Sequence, residues 1–271
     1  MRAAVVTLFV LLLVVACSHV QRVQQSEAAA TASALPTAAP SPSPTPAYVD
    51  MHGVAAAPYI DQLTQLQVFW PPGGLFEPAK PVLRREFVRW LMRADATIWA
   101  AHPSVVLHPA QPGAKQYFKD VATDDPDFAA IEGMHDAGIV IGYSNRTFRP
   151  NVAITREEAL AIKAYVDCGA PDPMIADDLA QAYYELPRWK DAHRISHAYV
   201  AAIASCLLQD QGTTQENRLD TIARTFGSIS ALQPQRPLDR AEAAAMLWEI
   251  GQQKPDLTNF PPRTAAEALA P

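Results

Sequence analysis

Apolar residues recur every three or four positions in several stretches of this chain, and strict alternation is rare, so the pattern predicts helices rather than strands. Phe128, Ile131, Met134 and Ala137 fall on one helical face. Gly138 follows them where a left-handed helix stop is wanted. Ile139, Val140 and Ile141 then form a short run expected to be buried. Thr155 and Glu158 make a Thr-x-x-Glu capping box, and Ala159, Ile162, Tyr165 and Val166 face the core behind it. Asp120 is placed to cap the entry to the first of these helices.

The same order of parts occurs three times, which makes repetition the main organising feature. Tyr48-Val49-Asp50, Phe118-Lys119-Asp120 and Trp189-Lys190-Asp191 echo one another. Leu83-Arg84-Arg85-Glu86, Thr155-Arg156-Glu157-Glu158 and Asp239-Arg240-Ala241-Glu242 form a second matched set. Leu75-Phe76-Glu77-Pro78 parallels Thr147-Phe148-Arg149-Pro150. In the first copy a helix over 58–68 carries Ile60, Leu63 and Leu66, and a second from Arg84 carries Phe87, Trp90, Leu91 and Ala94. Leu83 stands where Thr155 does, so a side-chain cap worth about 1 kcal/mol is missing. In the third copy, Tyr199, Ile203 and Cys206 mark a first helix over 198–208. An excursion over 209–236 holds Leu219, Ile222 and Phe226, and Met246, Leu247 and Ile250 stripe the last helix. Residues 95–116 read as an insertion.

The pieces Phe118-Lys119-Asp120-Val121, Ala137-Gly138-Ile139-Val140-Ile141-Gly142-Tyr143, Thr147-Phe148-Arg149-Pro150 and Ile154-Thr155-Arg156-Glu157-Glu158-Ala159-Leu160 resemble a surface-layer homology (SLH) repeat in order and spacing. The resemblance spans roughly residues 48–251 and is best in the middle copy. It implies a mainly all-α fold of three SLH-like helix-pair repeats in a pseudo-threefold arrangement, joined by long inter-helix loops. Repeats then occupy 48–116, 117–187 and 188–251, with 252–271 as a flexible tail.

The beginning of the chain differs in kind. Met1-Arg2 precedes an apolar run over 3–16, too short to span a bilayer comfortably and suited to a signal peptide. Leu13-Val14-Val15-Ala16-Cys17 resembles a lipoprotein signal, which makes Cys17 the expected lipidated residue after removal of 1–16. Ser18 after it implies an outer-membrane destination in a cell that has one. Residues 17–47 are rich in Pro, Ser and Ala, lack apolar periodicity, and read as a spacer of up to roughly 90 Å.

Composition narrows the function. Of 271 residues, 49% are hydrophobic, enough for a core, and the net charge of −6 argues against general nucleic-acid binding. No Walker loop, Gly-x-Ser-x-Gly or dinucleotide fingerprint is present, so nothing nominates an enzyme, a cofactor or a catalytic residue. His193 and His197 stand four apart without a third ligand, and Asp124-Asp125-Pro126-Asp127 lacks the glycine and distal glutamate of a calcium loop, so no metal is expected.

The candidate chemistry is a set of cations in an unusual place. Arg84, Arg156 and Arg240 each open a helix, where the macrodipole disfavours positive charge and free N–H groups attract anions. A guanidinium there can pair bidentately with a carboxylate. The resemblance implies glycan binding, by secondary cell-wall polymer or peptidoglycan, in grooves lined by these residues. Asp50, Asp120 and Asp191 are matching acids, either ligand contacts or structural partners of the arginines. Trp189 and Tyr143 either line grooves or pack inward. Gly142 leaves room for a sugar. Only the middle copy has the Gly-Tyr turn, so Arg156, Gly142 and Tyr143 are expected to form the principal groove. Cys168 and Cys206 either pair or remain buried thiols. The resulting expectation is a non-catalytic cell-envelope lipoprotein that attaches membrane to wall, facing the periplasm where an outer membrane exists. The alternative is a degenerate SLH scaffold that binds an envelope protein.

Overall fold

A computed structural model describes residues 47–208, 215–251 and 263–270, with side chains omitted at 207–208 and 215–220. Cys17, the leader over 1–16, nearly all of the spacer, and the side chain of Leu219 lie outside the described residues. The described residues contain α-helices and short 3-10 turns but no extended strands, so the fold is mainly α. No helix among them is long and apolar enough to cross a membrane.

Helix α1 (Ala57–Gln65) begins with Pro58 in its first turn and buries Ile60 and Leu63. It stops short of the expected Val68 because Gln67 takes a left-handed backbone (φ 60°) and turns the chain. Helix α2 (Arg84–Ile98) buries Phe87, Trp90, Leu91 and Ala94. Its Leu83 caps nothing, yet the Glu86 carboxylate still accepts the Leu83 N–H at 2.9 Å. Helix α3 (Phe128–Asp136) ends at the predicted glycine, where Gly138 has φ 73° and the Ile139 N–H returns to the Met134 carbonyl. Ala137 and Ile141 are exposed rather than buried, because the chain leaves the helix axis between them.

Helix α4 (Arg156–Cys168) has the predicted capping box, with Thr155 accepting from Glu158 N and Glu158 from Thr155 N. Two short helices that the apolar pattern did not reveal follow, α5 (Pro173–Ala176) and α6 (Leu179–Tyr184), both packed on α7 (His197–Leu208). Helix α8 (Gln215–Phe226) lies against α9 (Arg240–Leu247), whose start has the Asp239/Glu242 capping box. The supposed tail is partly structured: α10 (Ala265–Ala268) buries Ala265 and packs on α1 and α2.

The segments leading into α2, α4 and α9 meet at the centre. Val82 N donates to Leu238 O, Leu238 N to Ile154 O, and Ile154 N to Val82 O, each at 2.9 Å. The three residues of this closed ring are fully buried, as are Phe76, Phe87, Phe118 and Phe148. The helix packing is cyclic as well: α2 packs on α3, α4 on α7, and α9 on α1. Residues 95–116 are not wholly a loop, since α2 continues to Ile98. Their remainder crosses α3 at Gly133, where an added Cβ would sit 2.6 Å from the His108 carbonyl.

Candidate functional site

The arginines at the helix starts do not face free N–H groups. Arg84 N donates to Val152 O, Arg156 N to Arg236 O, and Arg240 N to Lys80 O, at 2.9–3.0 Å. The next N–H groups, of Arg85, Glu157 and Ala241, donate to the carbonyls of Pro150, Pro234 and Pro78. The expected anion sites are therefore filled by neighbouring backbone, and any binding at these positions must use side chains.

Three carboxylates organise those backbone turns. Asp50 accepts the N–H groups of Phe76 and Glu77, Asp120 those of Phe148 and Arg149, and Asp191 those of Leu232 and Gln233, at 2.7–2.8 Å. The second residue of each pair is left-handed: Glu77, Arg149 and Gln233 have φ between 55° and 58°. Such backbone costs on the order of 1 kcal/mol, and two charge-assisted hydrogen bonds more than offset it. Asp120 thus holds the turn before α4 instead of capping α3. All three acids are committed to structure. The matching third turn, Leu232-Gln233-Pro234, was legible as a further apolar-x-Pro motif.

Arg84 is buried and reaches from α2 into the next helix pair. Its Nε donates to Phe148 O at 2.8 Å, and Nη1 lies 2.6 Å from Glu158 Oε1. The guanidinium is 5.1 Å from the Tyr143 ring centre and 4.9 Å from that of Phe148. Beside it opens a groove of about 120 Å³, lined by Arg84, Ile141, Gly142, Glu158, Tyr165 and Tyr199 among others. Tyr143 Oη donates to Glu158 at 2.8 Å, and the Arg149 guanidinium lies 3.7 Å from the Tyr143 ring centre. Burial raises the Tyr143 pKa, the Arg84 charge opposes that, and Glu158 reinforces it. Burial and then Glu158 also raise that of Tyr199. Both phenols consequently stay protonated around a carboxylate at neutral pH. The groove offers one guanidinium, one carboxylate, two phenolic hydroxyls and an apolar floor.

Arg156 lies elsewhere. It is buried, donates to Leu232 O, pairs with Glu242 and stacks 4.5 Å from the Phe226 ring centre. The structure therefore separates it from Gly142 and Tyr143, which belong with Arg84. The reason is that each helix-start arginine reaches across to the adjacent helix pair, not back to its own turn. Arg240 follows the same direction more loosely: it is 3.7 Å from Glu77 and packs over Phe76 and Trp90. Trp189 is buried, 8% exposed, and belongs to the core rather than to a groove. Gly142 meets protein, not open space: a Cβ would lie 2.3 Å from Phe118 Cε1.

Sequence reasoning missed Tyr199 and the groove role of Glu158. Glu158 was legible only as a cap, and Tyr199 enters through the packing of α4 on α7. Cys168 and Cys206 form a disulfide that ties these two groove-forming helices together.

Residues 117–160 match the family model of the S-layer homology domain. That span contains Ile141, Gly142 and Glu158 of the groove, and it supports an S-layer homology domain and a cell-surface role for the chain. No curated protein matches the sequence.

Proposed function

We propose that the chain is a non-catalytic envelope lipoprotein, anchored through Cys17, whose folded part grips cell-wall glycan in the Arg84 groove. The observation that carries this reading is the coincidence of the S-layer homology match with the walls of that groove. We further propose that the three helix pairs are copies related by a pseudo-threefold axis. The ring through Val82, Ile154 and Leu238, the three bidentate aspartates and the cyclic helix packing support it. A guanidinium carries five N–H donors, and Arg84 uses two directions on Phe148 O and Glu158. A glycan carboxylate would compete with Glu158 for the rest, while sugar hydroxyls would bond Glu158 and the phenols. The disulfide fits an oxidising compartment outside the cytosol. The ligand class is a secondary cell-wall polymer or a peptidoglycan-linked polymer.

The test is co-sedimentation of residues 47–271 with native wall sacculi and with sacculi stripped of secondary polymer. Binding to native walls is expected, and its loss on stripping identifies the polymer class. No sedimentation with native walls overturns the reading. The second reading, a scaffold for an envelope protein, draws support from Arg156, which is occupied by Glu242 and Leu232. It predicts capture of protein from envelope extracts with no retention on walls.

A further inference from the structure

Three apolar side chains stand out of the surface of the first helix pair. Val49, Trp70 and Leu75 are 82%, 59% and 62% exposed. Each is the chain neighbour of a buried aromatic residue, Tyr48, Phe69 and Phe76 respectively. Those three aromatics hold one another. The Phe76 ring centre lies 5.1 Å from those of both Tyr48 and Phe69, and Tyr48 Oη donates to Phe69 O at 3.2 Å. Val49 N donates to Gly74 O, which ties residues 47–49 to the loop over 70–75. A packed aromatic base thus carries an apolar cap of Val49, Trp70 and Leu75.

No charged residue occurs from Gln65 to Phe76. Pro71 and Pro72 have no N–H to leave unpaired, and the Phe69 and Gly74 carbonyls are already taken by Tyr48 and Val49. The polar cost of moving this loop into an apolar medium is accordingly small. A tryptophan on such a loop favours the boundary between water and hydrocarbon, where its ring is apolar and its N–H stays wet. A cation stands at the edge of the cap: Arg93 is exposed and lines the same groove as Trp70. Its guanidinium makes one 3.5 Å contact, to Val68 O, and no ion pair among the described residues. A guanidinium at that level fits lipid phosphate. A folded protein partner fits less well. Three side chains fall far short of the roughly 800 Å² per partner of a stable protein interface, whereas a bilayer requires no matching shape.

We propose that Val49, Trp70 and Leu75 seat the folded part on a phospholipid surface, with Arg93 against the lipid phosphates. The position of the cap along the chain supports this. Cys17 stands roughly thirty residues before Ala47, so a lipid anchor there keeps the cap within about 90 Å of the bilayer. At the millimolar local concentration of a tethered module, a weakly binding surface is enough for docking. The tether rests on the anchoring proposed above; the cap and its affinity for lipid do not. None of these four residues lines the Arg84 groove.

The experiment uses residues 18–271, which carry no acyl chain, with vesicles of phosphatidylethanolamine and phosphatidylglycerol at millimolar lipid and physiological ionic strength. Flotation with the vesicles measures partitioning, and a blue shift of tryptophan emission reports burial of Trp70. The parent chain is expected to float and to shift. Trp70→Ala should lower partitioning about tenfold and remove the shift. Val49→Ser/Leu75→Ser keeps the tryptophan reporter and should also lower partitioning about tenfold. Arg93→Gln should lower it about fivefold. Arg84→Lys should partition like the parent, so failure of wall binding and failure of lipid docking are read separately. A parent chain that neither floats nor shifts overturns the proposal, including where it captures an envelope protein instead. Equal partitioning of the parent, Trp70→Ala and Val49→Ser/Leu75→Ser overturns it as well. All four substituted side chains are exposed, and unchanged urea midpoints check that the variants fold.

Discussion

Arg84, the first residue of α2, lies 2.6 Å from Glu158, the capping-box glutamate of α4, and both side chains are buried. The contact explains why a cation tolerates a helix start. Its charge is answered by the neighbouring helix pair, and the adjacent N–H groups by neighbouring carbonyls. Removing one partner strands the other. Arg84→Ala is therefore expected to cost about 3 kcal/mol in urea unfolding. Arg84→Lys should keep the charge and most of the stability but lose the planar fork, weakening wall co-sedimentation roughly tenfold. Arg156→Lys, away from the groove, should leave co-sedimentation unchanged. Equal effects of the two lysine variants would remove the Arg84 groove as the binding site.

Asp50, Asp120 and Asp191 were candidates for ligand contact, and their geometry assigns them to the turns. Each Asp→Ala substitution leaves one part-buried N–H, of Phe76, Phe148 or Leu232, without its acceptor, turns a second to water, and leaves a left-handed residue unsupported. A loss of about 3 kcal/mol is expected at each position, with wall binding per folded molecule unchanged. Chemical denaturation paired with sedimentation separates the two effects. Strong loss of binding with little loss of stability would return these acids to the ligand.

The division between what could and could not be read from the sequence has a physical basis. Helix stripes, the Gly138 stop and the capping boxes at Thr155 and Asp239 depend on residues a few positions apart, so the sequence carries them directly. The direction in which Arg84 and Arg156 reach does not. It follows from which helix pair packs next to which, and that is settled by contacts between distant segments. Gly142 and Tyr143 were grouped with Arg156 and instead lie beside Arg84 for this reason. Helices α5 and α6 escaped notice because they are short, and their stability comes from packing on α7 rather than from periodicity.

The Cys168–Cys206 bond closes a segment with a sequence separation of 38. Chain-entropy arguments put its contribution at roughly 4 kcal/mol. Because it joins α4 to α7, reduction should lower stability by up to that amount and also loosen the Tyr199 side of the groove. Unfolding with and without reductant, beside the Cys168→Ser/Cys206→Ser double variant, measures it. Insensitivity of both to the change would show that α4 and α7 hold without the bond.

Arg85 and Arg89 of α2 clasp Asp125 and Asp127 at the entry to α3, with closest approaches of 2.8 and 3.0 Å. Burial pushes the Asp125 carboxyl pKa up, but the Asp127 N–H and the Arg85 and Arg89 charges together bring it below its ordinary value. A depressed folded pKa stabilises the protein above the unfolded value, and that stability is lost as pH falls through the folded one. Asp125→Asn should thus cost about 1 kcal/mol at pH 7, and the gap from the parent should close below about pH 4. Unfolding midpoints between pH 7 and pH 3 test the sign. A gap that widens on acidification would contradict it.

Gly142 and Gly138 offer a matched pair for the last prediction. Both have left-handed backbone, φ 71° and 73°, so an alanine at either meets the same conformational penalty of about 1 kcal/mol. Their surroundings differ. An added Cβ at Gly138 meets nothing within 4 Å, whereas at Gly142 it lies 2.3 Å from Phe118 Cε1 and 2.9 Å from Thr147 O. Phe118 is fully buried and cannot retreat without disturbing Phe148 and His135. Gly142→Ala should therefore cost about 3 kcal/mol, the overpacking adding to the backbone penalty, against about 1 kcal/mol for Gly138→Ala. Wall binding should fall with Gly142→Ala even where the protein remains folded, because the turn that carries Tyr143 must shift. If the two variants unfold at the same urea concentration, close packing on Phe118 is not what requires glycine at position 142.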